Sequence, residues 1–165
     1  MRNLLRFSRT IRVSLYMVTM GCAAVLTGAV MAHGNVTPQA VDTHTLPQLG
    51  SDWLKDNPYN SGNAQQEAIR VGSSGFNQNC ARCHGLEAIS GGIAPDLRKL
   101  DAECFDMQDE AQANCIKDFE GYFINTVRGG RTREGRVYMP PFEGILSQEA
   151  LWAIKTYLES RRTAS

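Results

Sequence analysis

Two cysteines and a histidine lie within five residues of this chain, in the run Cys80-Ala81-Arg82-Cys83-His84. This C-x-x-C-H spacing is the attachment signature of a c-type haem. Two thiols three residues apart can add across the two vinyl groups of one porphyrin, and the histidine after the second thiol then lies under the iron. The run therefore predicts one covalently bound haem c, with His84 as an axial ligand of the iron.

Two other kinds of site also use a C-x-x-C pair, namely a thioredoxin-like dithiol and half of a structural zinc site. A redox dithiol is expected at the end of a strand in a βαβ unit, whereas the residues before Cys80 have a helical pattern. A structural zinc ion needs four ligands, and His33 and His44 lie far upstream in a segment interrupted by prolines. The sequence favours haem over both alternatives.

The first 32 residues have the pattern of an export signal. Four arginines precede an uncharged stretch over residues 13–32, which ends in Val30-Met31-Ala32 and resembles a small-residue cleavage site. We therefore expect a signal peptide over residues 1–32. The stretch is also close to the roughly 20 apolar residues that span a bilayer, so an uncleaved membrane anchor is the alternative.

Cleavage after Ala32 would leave 133 residues, a length suited to one domain with one core. The chain has 17 basic and 17 acidic residues, and the signal contains four of the basic ones, so the mature net charge is −4. This balance argues against binding to nucleic acid or to an anionic membrane. We expect a monomer with no membrane span after cleavage.

The mature chain has two further cysteines, Cys104 and Cys115, once Cys80 and Cys83 are assigned to the haem. Because an exported protein folds in an oxidising compartment, we predict a disulfide between them. Two unrelated buried thiols are the alternative. The acidic segment over residues 101–114 would then be a surface insertion stapled by the disulfide.

The mature chain divides by pattern into an extended N-terminal arm over residues 33–61 and a haem domain over residues 62–165. Three prolines and little helical period predict the arm, which Trp53 and Leu54 would pin to the core. No strand-like alternation of useful length appears, so the fold class is predicted as all-α.

Three helices are predicted in the haem domain. The first begins at Asn63, with Gln66 completing a capping box, and runs toward Cys80. The second carries apolar residues at intervals of three and four over 119–127 and ends before Gly129. The last begins after Ser147 as its N-cap.

Two spacings in these helices resemble those of class I cytochromes c. Gly72-x-x-x-Phe76-x-x-x-Cys80 is similar to the first helix of that family, whose glycine lets the first and last helices cross closely. Ile154-x-x-Tyr157 is similar to the matching part of the last helix. The resemblance implies a class I cytochrome c fold, in which helices wrap around one covalently bound haem c.

The same resemblance implies the remaining haem contacts. Pro95, in Ile-Ala-Pro-Asp-Leu, resembles the proline whose carbonyl accepts a hydrogen bond from the proximal imidazole, here His84. Met139, in Tyr-Met-Pro-Pro-Phe, corresponds to the sixth ligand of the iron. The mature chain has one other methionine, Met107 in the acidic segment, and an ordinary core position is the alternative for Met139. Phe76, Phe142 and Trp152 are expected to surround the haem.

Longer runs, over residues 79–92 and 135–144, are similar to the PedF-type cytochromes c, as is the expected mature start at residues 33–39. This resemblance implies a periplasmic single-electron carrier and not an enzyme. Its electron donor would be a quinoprotein alcohol dehydrogenase that contains pyrroloquinoline quinone, and its acceptor a terminal oxidase or another cytochrome.

Two alternatives stay open from the sequence. One is a haem enzyme or gas sensor in which Met139 is readily displaced, and the other is a membrane-anchored redox subunit of an oxidase or dehydrogenase complex. A basic run before Met139 is predicted as a solvated loop, and the alternative is that one or two of its arginines pair with haem propionates or with carboxylates of a partner. Arg82 is expected to lie near the exposed haem edge, where a redox partner docks. The run consists of Arg128, Arg131, Arg133 and Arg136.

Overall fold

The structure is a computed structural model that describes residues 38–90, 92 and 94–163. Its α-helices are α1 (Gln65–Asn79), α2 (Ala81–His84), α3 (Asp109–Gly129) and α4 (Gln148–Ser160). Short 3-10 helices cover Leu86–Ala88, Leu97–Lys99 and Ala102–Asp106. An antiparallel pair, β1 (Arg131–Arg133) and β2 (Arg136–Met139), lies between α3 and α4.

Several predictions concern residues outside this description. The expected signal peptide at 1–32, the first five residues of the predicted arm and two residues of the loop before Pro95, Gly91 and Ile93, are among them. Within the described part of the chain, no helix is long and apolar enough to cross a bilayer.

The crossing of α1 and α4 brings two backbones into direct contact. A Cβ atom placed on Gly72 would lie 1.9 Å from the carbonyl oxygen of Ala153 and 2.9 Å from the Cβ of Tyr157. Beside this contact, the rings of Phe76 and Tyr157 pack with centroids 5.6 Å apart. The close crossing implied by the glycine spacing is therefore present.

Helix α4 is the centre of the core. Ser147 caps its first turn as predicted, because its hydroxyl accepts a hydrogen bond from the backbone N–H of Ala150 at 3.2 Å. Every residue from Gln148 to Leu158 is buried, on all sides of the helix. A helix buried all round needs cover on its outer face as well as its inner face.

The N-terminal arm supplies that cover through hydrogen bonds from its backbone to side chains of α4. The backbone N–H of Leu49 donates to Glu149 Oε1 at 2.8 Å, and that of Leu54 to Gln148 Oε1 at 2.6 Å. Trp53 packs against the core as predicted, whereas the side chain of Leu54 is exposed and only its backbone anchors the arm. The prediction for the Leu54 side chain was wrong.

A second anchor of the arm lies at Asn57, which is buried. Its backbone N–H donates to Glu120 Oε2 at 3.1 Å, and its side-chain amide donates to Thr156 Oγ1 at 3.0 Å. Burial raises the pKa of Glu120, although the hydrogen bond from Asn57 opposes the shift. The described part of the arm is thus held by specific contacts on α3 and α4.

A buried ion cluster ties the C-terminal end of α4 to the segment before α3. Lys155 Nζ lies 2.6 Å from Glu159 Oε1 and 3.6 Å from Asp101 Oδ2, and its side chain is only 1% exposed. Arg162 forms further hydrogen bonds with Asp101. Burial by itself would raise the pKa of Asp101, but Arg162 and Lys155 outweigh it and hold that pKa below its usual value.

The disulfide between Cys104 and Cys115 is present, as predicted. It links the 3-10 helix over Ala102–Asp106 to the first half of α3. The acidic segment is not an irregular insertion along its whole length, because α3 already begins at Asp109. Two acidic residues in the first turn of α3, Asp109 and Glu110, suit the positive end of the helix dipole.

One other prediction about an element was wrong. Helix α1 begins at Gln65, and its N-cap is Ala64 without a side-chain cap, so Asn63 does not open a capping box. A backbone turn takes its place, in which the N–H of Gln65 donates to the carbonyl of Gly62. The fold is mainly helical, as predicted, and it includes one short hairpin, β1 and β2, that ends at Met139.

Replacing Gly72 with alanine should destabilise the protein by about 1–3 kcal/mol, because the new methyl group must push α1 away from α4. Gly121→Ala in α3 is the matched control, since a Cβ there meets nothing within 4 Å and alanine favours a helix by up to about 1 kcal/mol. Denaturant unfolding of both variants measures the difference. Equal stability of the two variants would contradict the close crossing.

Candidate haem site

The C-x-x-C-H run lies where α1 passes into α2. The backbone N–H of Cys80 still bonds to the carbonyl of Phe76 at 2.7 Å, and the short helix that follows ends at Gly85, whose φ is +78°. The two cysteines are therefore close to one helical turn apart, and they are not bonded to each other. Cys83 is exposed and Cys80 is half-buried.

Burial raises the pKa of the Cys80 thiol to about 12, and the neighbouring thiol of Cys83 raises it further. A thiol with this pKa stays protonated at neutral pH, whereas a thioredoxin-like dithiol needs a nucleophilic thiolate. The preceding residues also form a helix and not a strand. The local structure therefore argues against the dithiol alternative.

The imidazole of His84 is held by the loop that contains Pro95. His84 Nδ1 lies 3.0 Å from the carbonyl oxygen of Pro95, which is the contact that the resemblance implied. A carbonyl oxygen only accepts, so Nδ1 carries the proton and Nε2 keeps its lone pair. This is how proteins fix the orientation of a histidine that binds a metal through its other nitrogen.

Met139 stands at the end of β2, where the chain is fastened to the end of α3. The backbone N–H of Phe142 donates to the carbonyl of Val127 at 3.0 Å, and the side chain of Phe142 is buried. Gly130, with φ +68°, lies so close that a Cβ would be 2.5 Å from the carbonyl oxygen of Met139. Met139 itself is half-buried and packs against the core.

The predicted apolar surroundings are all in the core. Phe76, Phe142 and Trp152 are each at most 3% exposed. The indole Nε1 of Trp152 is buried without a hydrogen-bond partner among the described residues. Leu86, two residues after His84, is 72% exposed, a large apolar side chain that sequence reasoning did not single out.

These features fit a haem c. The site offers two unpaired thiols at the attachment spacing, an imidazole nitrogen with a free lone pair, and a thioether on a separate segment. Imidazole nitrogen and thioether sulfur are a typical donor pair for the iron of a c-type cytochrome. Exposed apolar side chains such as Leu86 are what an apolar cofactor would cover.

The basic run does not act as one unit. Arg128 pairs with Glu143 and stacks 4.2 Å from the centroid of the Trp53 ring. Arg131 donates to Thr126 Oγ1 and lies 5.0 Å from the centroid of the Tyr122 ring. Arg128 therefore joins the arm to α3, and Arg131 joins the hairpin to α3. Arg133 and Arg136 are exposed on the hairpin.

Comparison with known proteins decides the family. Residues 67–158 match the family described as cytochrome c oxidase, cbb3-type, subunit III. Over 136 residues, the chain is 48% identical to cytochrome c550 of Pseudomonas aeruginosa, and the alignment covers 82% of this chain and 85% of that relative. The chain belongs to the cytochrome c family. It therefore has a class I cytochrome c fold with covalently bound haem c, and it is an electron carrier and not an enzyme.

Two larger proteins of Pseudomonas putida match the cytochrome over a shorter stretch. Quinohemoprotein alcohol dehydrogenase ADH-IIG is 33% identical over 94 residues, and quinohemoprotein alcohol dehydrogenase ADH IIB is 30% identical over 98 residues. The alignments cover 57% and 59% of this chain but only 11% and 12% of the dehydrogenases. No solved structure matches the cytochrome.

Gly130→Ala should destabilise the cytochrome by more than about 1 kcal/mol, since the residue has a positive φ and its methyl group would strike the Met139 carbonyl. Gly129→Ala is the neighbouring control, because it ends a helix and a Cβ there meets nothing within 4 Å. Denaturant unfolding, followed by circular dichroism, compares the two. A larger loss in Gly129→Ala would contradict the packing described for Met139.

Proposed function

We propose that this cytochrome is a periplasmic carrier of single electrons, which takes them from a quinoprotein alcohol dehydrogenase and passes them toward a terminal oxidase or another cytochrome. The observation that supports the carrier most directly is the fixed imidazole of His84, held at Nδ1 by Pro95. The resemblance to a segment of two quinohemoprotein alcohol dehydrogenases supports the donor.

In this proposal, the haem is held at four points of the chain. Cys80 and Cys83 would form the two thioether bonds, and His84 Nε2 and Met139 Sδ would bind the iron. When bound, the haem supplies an iron that gains or loses one electron. The Pro95 carbonyl fixes the imidazole, and the bonds between the Met139 segment and α3 fix the thioether.

These residues favour fast electron transfer and little else. The Met139 thioether is neutral, and apolar side chains such as Phe76 and Phe142 disfavour extra positive charge, so both raise the reduction potential. With His84 and Met139 both bound to the iron, dioxygen and peroxide would find no open position. A rigid site also needs little rearrangement when an electron arrives.

The cellular setting is part of the same proposal. Residues 1–32 are the signal peptide, and removal of this segment releases a monomeric protein into the periplasm, where the disulfide is stable. The proposed arm covers residues 33–61 and the proposed haem domain residues 62–165, and in the part of the chain that the structure describes, contacts such as that of Leu49 with Glu149 join the two.

Met139→Ala should open one axial position, so the reduced variant should bind carbon monoxide stoichiometrically while the reduced wild-type protein does not. Met107→Ala, at the exposed methionine, is the matched control and should behave like the wild type. Absorption spectroscopy of the reduced proteins under carbon monoxide measures the binding. Prompt stoichiometric binding by the wild type would favour the haem enzyme or sensor instead.

Oxidised cytochrome mixed with a quinoprotein alcohol dehydrogenase and its alcohol should be reduced within the turnover time of the enzyme, and without alcohol it should stay oxidised. Haem absorbance follows the reaction. A cytochrome that ascorbate reduces fully, but that the working dehydrogenase leaves oxidised, would contradict the proposed donor.

A further inference from the structure

The hairpin before Met139 carries two arginines in an arrangement that lowers its own stability. Arg133 and Arg136 are directly opposite each other across β1 and β2. Like charges at directly opposite positions of an antiparallel pair are destabilising. Such a local conflict is expected where a surface serves a function.

Among the described residues, neither arginine forms an ion pair with a residue outside the hairpin. Arg133 is 75% exposed, and its ion partner among the described residues is the adjacent Glu134, at 3.7 Å. For Arg136, no ion pair is found within the described part of the chain. Arg128 and Arg131, by contrast, are engaged with Glu143 and Thr126.

The hairpin presents these side chains on a stiff support. Its two turn residues, Glu134 and Gly135, have φ values of +50° and +74°. Positive φ at both positions is what a tight two-residue hairpin turn requires. At the other end, Arg131 fastens β1 to α3, and Gly130 closes against the carbonyl of Met139. A pre-organised surface loses less entropy on binding than a flexible one.

Tyr138 lies two residues after Arg136 on β2, where the register between the two strands shifts by one residue. It is 66% exposed. Arginine and tyrosine are the residue types that most often carry binding energy at protein interfaces. Met139 is the last residue of β2, so a protein bound here lies next to the proposed sixth ligand.

We propose that Arg133, Arg136 and Tyr138, the arginine face, dock carboxylates on the acidic surface of the protein that donates electrons to this cytochrome. Charge complementarity selects an acidic protein, and the bidentate geometry of arginine suits carboxylates. The identity of the donor rests on the proposed function. The position of the arginine face beside Met139 rests on the structure alone.

Small ions test that position without any partner protein. The mature ferrous holoprotein is oxidised at low ionic strength by ferricyanide, an anion, or by tris(phenanthroline)cobalt(III), a cation, each taking one electron. Arg136→Glu should slow the reaction with ferricyanide by about threefold or more and speed the reaction with tris(phenanthroline)cobalt(III). At about 1 M salt both differences should vanish, because the Debye length falls to about 3 Å.

The same substitution keeps folding separate from docking. Arg136→Glu places opposite charges across the hairpin, so the midpoint of thermal unfolding should stay unchanged or rise. A purely structural role for Arg136 would instead lower the midpoint. The experiment with the partner protein uses a double variant, Arg133→Glu/Arg136→Glu. Its control is Lys55→Glu/Lys117→Glu, at exposed lysines on the arm and on α3, because both double variants change the net charge by the same amount.

The quinoprotein alcohol dehydrogenase provides the second arm of the experiment. Arg133→Glu/Arg136→Glu should lower its rate of electron transfer to the cytochrome about tenfold at low salt, while the lysine control changes it little. The dehydrogenase could fail to reduce the wild type while the small-ion rates shift as expected. In that case the proposed donor is wrong, and the proposal that the arginine face docks an acidic electron donor is supported.

Two results would overturn the arginine face. The first is small-ion rates in Arg136→Glu equal to those of the wild type. The second is a pair of results. The wild type binds vesicles of anionic phospholipid and the double variant does not, while the small-ion rates of the double variant equal those of the wild type. The hairpin would then bind a membrane surface and not a redox partner.

Discussion

The backbone contact between Gly72 and Ala153 is the constraint on which the rest of the structure depends. It sets the angle and distance at which α1 crosses α4, and no side chain larger than hydrogen fits there. Cys80 follows eight residues later along α1, about 12 Å at the rise of an α-helix, so the crossing also places the first attachment thiol. The arm then covers the outer face of α4 through Glu149 and Gln148, and residues 148–158 of that helix are buried on all sides.

The two proposed iron ligands are stiffened by different means. His84 comes directly after a helical turn, and one hydrogen bond to the Pro95 carbonyl fixes its ring. Met139 comes at the end of a strand, and its segment is held by a backbone bond from Phe142 to α3 and by contact with Gly130. Both supports are part of the backbone framework, so a change in the charge on the iron would require little movement of either. This is the structural requirement for a carrier whose geometry must differ little between its two oxidation states.

The sequence predicted those features that depend on short spacings. The C-x-x-C-H run, the glycine of the helix crossing and the Ser147 cap each lie within a few residues of their partners or match a family pattern. The cysteine count predicted the disulfide.

Features that depend on distant polar contacts were missed. The N–H groups of Leu49 and Leu54 find their acceptors, Glu149 and Gln148, 100 and 94 residues away, and no local pattern marks those side chains as buried. The hairpin was missed because strands of three and four residues rich in arginine show no apolar alternation.

The account depends on an iron held on both faces by groups of this chain, His84 and Met139. Electron paramagnetic resonance of the purified ferric protein at neutral pH tests this most directly, because it reports the spin state of the iron. The account predicts a low-spin, six-coordinate centre as the whole of the native signal. A high-spin, five-coordinate centre in the native resting protein would contradict it.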